Sequence, residues 1–164
     1  MSGKTWSSRF FIKNVPSVDI SHKAYANLHQ DLMEALYQLD ISQISRLRDA
    51  DEMLKEAIPD RDMRLFLISN LKRKDNGSYH WQINIKGIRN NHQNLLEEVT
   101  GKPFMKPCLF IRGGNSEYIR DSDWPEILNL FPSAELVTVH GAGHWVHIEG
   151  QDKFLGAVLT FLEK

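Results

Sequence analysis

A single cysteine, Cys108, stands among 164 residues, so no disulfide can form within the chain and a disulfide-stapled scaffold is excluded. Cys108 lies in the apolar run Pro107-Cys-Leu-Phe-Ile111, the setting of a small buried side chain rather than of a reactive thiol. Net charge is scarce as well. The formal value of −1 at pH 7 gives no basis for bulk electrostatic binding to nucleic acid or to an anionic membrane. No apolar run approaches the length of a transmembrane helix, and there is no internal repeat or low-complexity tract. The amino-terminal stretch Met1–Ile12 has too short an apolar part for a secretory signal. Its basic and hydroxyl residues, with no acid before Asp19, are similar to a mitochondrial transit peptide. What is present is ordinary for a globular domain: 41% hydrophobic and 25% charged residues, in a chain long enough to bury one core.

The chain changes texture along its length. From Ser21 to about Leu96 the apolar spacing is mostly helical. Ala24, Leu28, Leu32, Ala35 and Leu39 mark a first helix. Ser42 or Ser45 caps a second that runs through Ile58, and Pro59-Asp60 opens a third with Met63, Phe66, Leu67 and Leu71 on its apolar face. Asp75-Asn-Gly77 signals a turn, Tyr79 to Ile85 alternates like a short strand, and Ile85 to Glu98 reads as a fourth helix. Beyond Pro103 the pattern becomes strand, helix, strand, helix: Cys108–Ile111, Trp124–Phe131, Glu135–Val139 and Gln151–Leu162. Such alternation implies parallel pairing with right-handed crossovers. Ser17–Ile20 reads as the end of a further buried strand. The expected architecture is α/β: about three parallel strands with flanking helices and a helical insertion.

Three short segments carry groups able to do chemistry. In His140-Gly-Ala-Gly-His-Trp-Val-His147, a glycine-rich loop after a strand sets His144 at the carboxyl edge of a parallel sheet. There it is either a general base or a loop histidine packed on Trp145, and taken alone the segment does not choose. Zinc is allowed by the count of His140, His144 and His147, but the usual Cys or carboxylate spacing is missing apart from Glu149. Phe110-Ile-Arg-Gly-Gly-Asn-Ser116 runs a strand into a glycine turn, where Ser116 either bonds a catalytic histidine or satisfies turn amides. Asp19 follows a buried strand, where a carboxylate is costly unless paired or wet. It either orients a histidine or caps the helix near Ser21.

Together these segments resemble the α/β-hydrolase superfamily, and within it the esterase group that includes the α/β-hydrolase domain-containing protein eleven and bacterial esterases. The resemblance is carried in order by Val18–Ser21, Arg64–Leu71, Trp81–Ile85, Leu109–Ser116, Glu126–Pro132 and Ala142–His147, spanning residues 18–164. It implies that His144 is the catalytic histidine and Asp19 its acid. In most of the superfamily the acid instead ends a Gly-x-x-Asp turn after the next strand. Here that turn reads Gly113-Gly-Asn-Ser116, so Ser116 becomes a supplementary polar group, with Asp121 and Asp123 as fallback acids. The implied layout is a remnant of the elbow helix and the following strand over 1–20, a helical cap over 21–102, and a carboxy-terminal core over 103–164. The implied substrate of the full-length parent is a small acyl ester, lipid ester or thioester. No cofactor and no metal are implied, and the relatives include intracellular, mitochondrial proteins.

The same resemblance exposes a gap. The superfamily carries its nucleophile in a Gly-x-Ser-x-Gly elbow between strand and helix, and no such motif occurs in the 164 residues. In relatives the elbow reads Gly-His-Ser-Met-Gly-Gly-Lys, which aligns Met1-Ser-Gly-Lys4 just after the serine and makes Met1 a remnant of the oxyanion hole. Ser2 lacks the strand and tight turn that expose a nucleophilic hydroxyl. Gly3-Lys-Thr5 lacks the earlier glycine of a phosphate loop. The expectation is a carboxy-terminal portion of a serine hydrolase that is inactive alone, with self-association through an exposed sheet edge. The alternative is a truncated or splice form acting as a non-catalytic protein-binding module.

Overall fold

The computed structural model describes residues 14–26 and 29–164. In chain order the elements are β1 (Val15–Val18), α1 (Gln30–Gln38), α2 (Leu47–Leu54), α3 (Arg61–Ile68), β2 (Leu71–Arg73), β3 (Tyr79–Trp81), α4 (Ile85–Asn90), α5 (His92–Leu96), β4 (Cys108–Gly113), α6 (Trp124–Leu130), β5 (Ala134–Val139), α7 (Val146–Glu149) and α8 (Gln151–Leu162). They form two compact units. One contains Val99–Lys164 with the described residues up to Lys23, and the other is Ala24–Glu98.

The first unit is built on a parallel sheet in the order β1-β4-β5. Val18 pairs with Ile111, and Ile111 with Val137. The central strand β4 is apolar almost throughout because helices and loops cover both of its faces. Leu109 and Ile111 point to one side and meet Val139, Val146 and Phe161, with Phe154, Ala157 and Val158 of α8 packed against them. These α8 positions recur at helical spacing and form its buried stripe. Cys108 and Phe110 point to the other side and meet Ile119 and Ile127. The Phe110 ring packs edge-on against Trp124 and Phe131 at 6.0 and 5.4 Å between centroids. Burial pushes the Cys108 thiol pKa up, which keeps it protonated and unreactive.

The second unit gathers α1, α2, α3, α4 and the β2–β3 hairpin around Leu36, Ala50, Leu54, Ile68, Leu71 and Ile85. Asp60 caps α3 by accepting from the Met63 amide at 2.8 Å. Arg64 is buried there, and its Nη1 donates to the carbonyls of Ile58 and Pro59 while its Nε donates to Asp51. The hairpin turns at Gly77, whose φ of 84° suits glycine.

Several elements are shorter than their apolar spacing predicts. The first helix begins at Gln30 because His29 is left-handed at φ 64°, a conformation that cannot continue a right-handed helix; Leu28 lies outside the described residues. The second helix starts at Leu47, after Asp49 has accepted from the amides of Ser45 and Arg46. The strand expected through Ile85 stops at Trp81, since its partner β2 offers only three residues. Asn84 then caps α4 by accepting from Gly87. The long fourth helix is two, α4 and α5, because the Asn91 side chain bonds back to the Gly87 carbonyl at 2.8 Å and its backbone leaves helical geometry.

Candidate active site

Parallel pairing brings the carboxyl ends of β1, β4 and β5 to one edge of the sheet. The residue after β1 is Asp19, whose amide still follows the ladder by donating to Ile111 at 2.7 Å. It then adopts φ 47°, a left-handed conformation costing about 1–2 kcal/mol outside glycine. That turn sends the carboxylate into the protein, where it is fully buried. Three donors compensate the lost water. Oδ1 accepts from the Gly113 amide at 3.1 Å, and Oδ2 accepts from the Ser116 hydroxyl at 2.5 Å and from Nδ1 of His144 at 2.8 Å.

A carboxylate that only accepts requires the hydrogen on Nδ1. The lone pair of neutral His144 is therefore on Nε2. The imidazole is 48% exposed, so its basic nitrogen stands at the surface of this unit while its acid partner is dry. The loop carrying it is closely fitted. An extra carbon on Gly113 would fall 2.1 Å from the Gly143 carbonyl oxygen, so only glycine lets β4 pass this loop. Glu149 accepts from the amides of Gly143 and Trp145, one on each side of His144, at 2.8 and 3.3 Å. Tyr118 stacks on the imidazole with 4.1 Å between centroids and 21° between planes. Burial first, and the Asp19 charge second, raise the Tyr118 phenol pKa, so it stays neutral beside the histidine.

The residues singled out from sequence divide clearly. Asp19, Ser116 and His144 converge, and the expected acid meets the expected supplementary polar group, Ser116, in one hydrogen bond. Asp121 and Asp123 are engaged elsewhere: Asp121 pairs with Arg112 at 2.6 Å, and Asp123 with Lys23. His140 is exposed, and His147 meets Phe154 edge-on. Among the described residues no group of three His, Cys, Asp or Glu converges to hold a metal, and no helix is long and apolar enough to cross a membrane. Met1 and Ser2 lie outside the described residues. Sequence reasoning missed Tyr118, the bracing of the His144 loop by Glu149 and the tight space at Gly113. The only sequence signal for Tyr118 was its position two residues after Ser116.

No family model matches the chain. It is 33% identical over 153 residues to the zebrafish (Danio rerio) sn-1-specific diacylglycerol lipase ABHD11, covering 90% of this chain and 47% of that one. The Xenopus laevis protein of the same name is 39% identical over 117 residues, 71% of this chain and 37% of that one. A solved marine microorganism esterase superimposes with a TM-score of 0.85 and 35% identity, over 91% of this chain and 60% of the other. The chain is a relative of the α/β-hydrolase esterases. Its three-stranded parallel sheet with flanking helices is part of the α/β-hydrolase fold. It spans about half the length of the zebrafish relative.

Proposed function

We propose that the chain supplies the acid and histidine of a serine hydrolase acting on ester bonds, with Asp19 and His144 in those roles. The observation that carries this reading is the contact between the buried Asp19 carboxylate and Nδ1 of His144 at 2.8 Å. In the reaction, a serine hydroxyl attacks the acyl carbonyl while Nε2 of His144 takes its proton. Asp19 holds the Nδ1 hydrogen and balances the imidazolium. His144 then passes the proton to the departing alcohol or thiol, and repeats the cycle with water to release the acid. Ser116 keeps the second lone pair of Oδ2 occupied. The chemistry calls for no cofactor or metal.

The names of the relatives support a lipid or other carboxylic ester as substrate, with a thioester as a chemical equivalent. The reading of 21–102 as a cap shaping the acyl pocket, and a mitochondrial location, rest on the family resemblance alone. The serine must come from a Gly-x-Ser-x-Gly segment, which the 164 residues do not contain. We therefore expect no turnover of nitrophenyl esters by this chain alone. Fusing to it the part of the zebrafish relative that holds the Gly-x-Ser-x-Gly segment should yield an esterase that loses about 10³–10⁶-fold in kcat in His144→Ala. A fusion that hydrolyses esters equally well in His144→Ala would overturn the assignment. Turnover by the chain alone that vanishes in His144→Ala but survives Ser2→Ala would instead overturn the expectation that these 164 residues lack the nucleophile.

A second reading is favoured by the sheet. Among the described residues β1 pairs only with β4, and an unfilled strand edge is a template for another chain. Association of this chain with itself or with another protein through β1 predicts a concentration-dependent mass in sedimentation. A monomer at all concentrations counts against it.

A further inference from the structure

We propose that Tyr118 is a positioning residue for His144, its stacked ring fixing the plane in which Nε2 is presented. This rests on the reading of Asp19 and His144 as an acid–histidine pair. Among the described residues, the hydrogen bond from Nδ1 to Oδ2 holds the imidazole at one point. That contact by itself does not fix the plane of the ring, and with 48% of the side chain exposed, core packing covers only part of it. Glu149 secures the backbone on both sides of His144 but does not reach its ring. The face of the imidazole is covered by Tyr118 at 4.1 Å and 21°.

The platform is itself anchored. The Tyr118 amide donates to Oγ of Ser116 at 3.3 Å, the same hydroxyl that donates to Asp19. The next residue, Ile119, is 1% exposed and sits in the sheet core. One short segment, Ser116–Ile119, therefore supports both the acid and the plane of the base. The stack is compatible with either protonation state of the histidine: aromatic pairs stack with an offset, and an imidazolium is attracted to a neutral ring face.

The test is nuclear magnetic resonance of the full chain labelled with nitrogen-15 histidine. The expected result is a slowly exchanging, far-downfield Nδ1 proton on His144, and carbon-bound ring protons shifted upfield by Tyr118. Tyr118→Phe should keep both. Tyr118→Leu should lose the upfield shift and speed exchange of the Nδ1 proton by about three- to tenfold, while the resonances of buried His22 stay in place. Equal exchange rates in Tyr118→Leu and the unchanged chain would overturn the proposal. Should Tyr118→Leu not fold, cross-relaxation between the two rings in the unchanged chain decides, and its absence overturns the proposal. Asp19→Ala, which removes the acceptor, separates the two claims. Persistence of the Nδ1 proton in that variant removes the acid–histidine pair, whereas its loss there with no effect of Tyr118→Leu removes only the role of Tyr118.

Discussion

Replacing Gly113 by alanine adds one carbon at the point where the three site segments meet. That carbon would lie 2.1 Å from the Gly143 carbonyl oxygen and 2.6 Å from that of Ala142, both backbone atoms. Comfortable non-bonded contact begins near about 3.5 Å, so the His144 loop or the end of β4 must retreat by roughly 1 Å. Neither moves freely. The Gly114 amide donates to Val139 at 3.0 Å and the Asn115 amide to Ala142 at 2.9 Å. The same shift stretches the bond from the Gly113 amide to the buried Asp19 carboxylate, now 3.1 Å. Overpacking costs about 1–3 kcal/mol, and loss of a hydrogen bond to a charged group about 1.5–3 kcal/mol. The expected loss is about 3–5 kcal/mol, a large part of the roughly 5–15 kcal/mol that holds a domain together. The same substitution at Gly156, inside α8 with no atom beyond the helix's own nearby backbone within 4 Å of the new carbon, should instead stabilise by about 0.5–1 kcal/mol. Urea unfolding followed by circular dichroism reads both. The reasoning is refuted if Gly113→Ala unfolds within about 0.5 kcal/mol of the unchanged chain.

Arg64→Met in the second unit should cost roughly 2–4 kcal/mol, because the carbonyls of Ile58 and Pro59 lose a charged donor, and urea unfolding measures it. Loss of less than about 0.5 kcal/mol would mean that water replaces the guanidinium. The Lys23–Asp123 pair predicts a pH effect. Burial pulls the Asp123 pKa up, but the Lys23 ammonium and the Arg120 amide outweigh it and hold the carboxyl below its ordinary value. A depressed folded pKa stabilises above the ordinary carboxylate range, and that stability fades as pH falls through the lowered value. Lys23→Met should therefore lower Tm near neutral pH, and the gap should close as pH drops below about 4. A gap that widens in acid contradicts the assignment.

The sheet unit was the more legible part. Cys108–Ile111 is apolar at every position because both faces of β4 are covered, and α8 occupies the predicted Gln151–Leu162. Asp19 and His144 stood out for opposite reasons, one a charge beside an apolar strand and the other a histidine within glycines. The helical unit was less legible. Its breaks depend on side chains of His, Asp and Asn competing with the backbone, and a hydrophobic period does not register that competition. Tyr118 and the bracing by Glu149 were missed because an aromatic or acidic residue in a loop has many uses, and its use depends on what stands opposite.

Alternation, glycine placement and strand-ending polar residues are local properties, so they determined by themselves the α/β layout and the residue types at the sheet edge. Residues 19 and 144 are far apart along the chain, and whether they touch depends on strand order and register. Only the parallel pairing β1-β4-β5, with the left-handed turn at Asp19, decided that one carboxylate oxygen would serve both Ser116 and His144. A hydrogen bond needs two atoms placed within a few tenths of an ångström, and long-range packing supplies that placement.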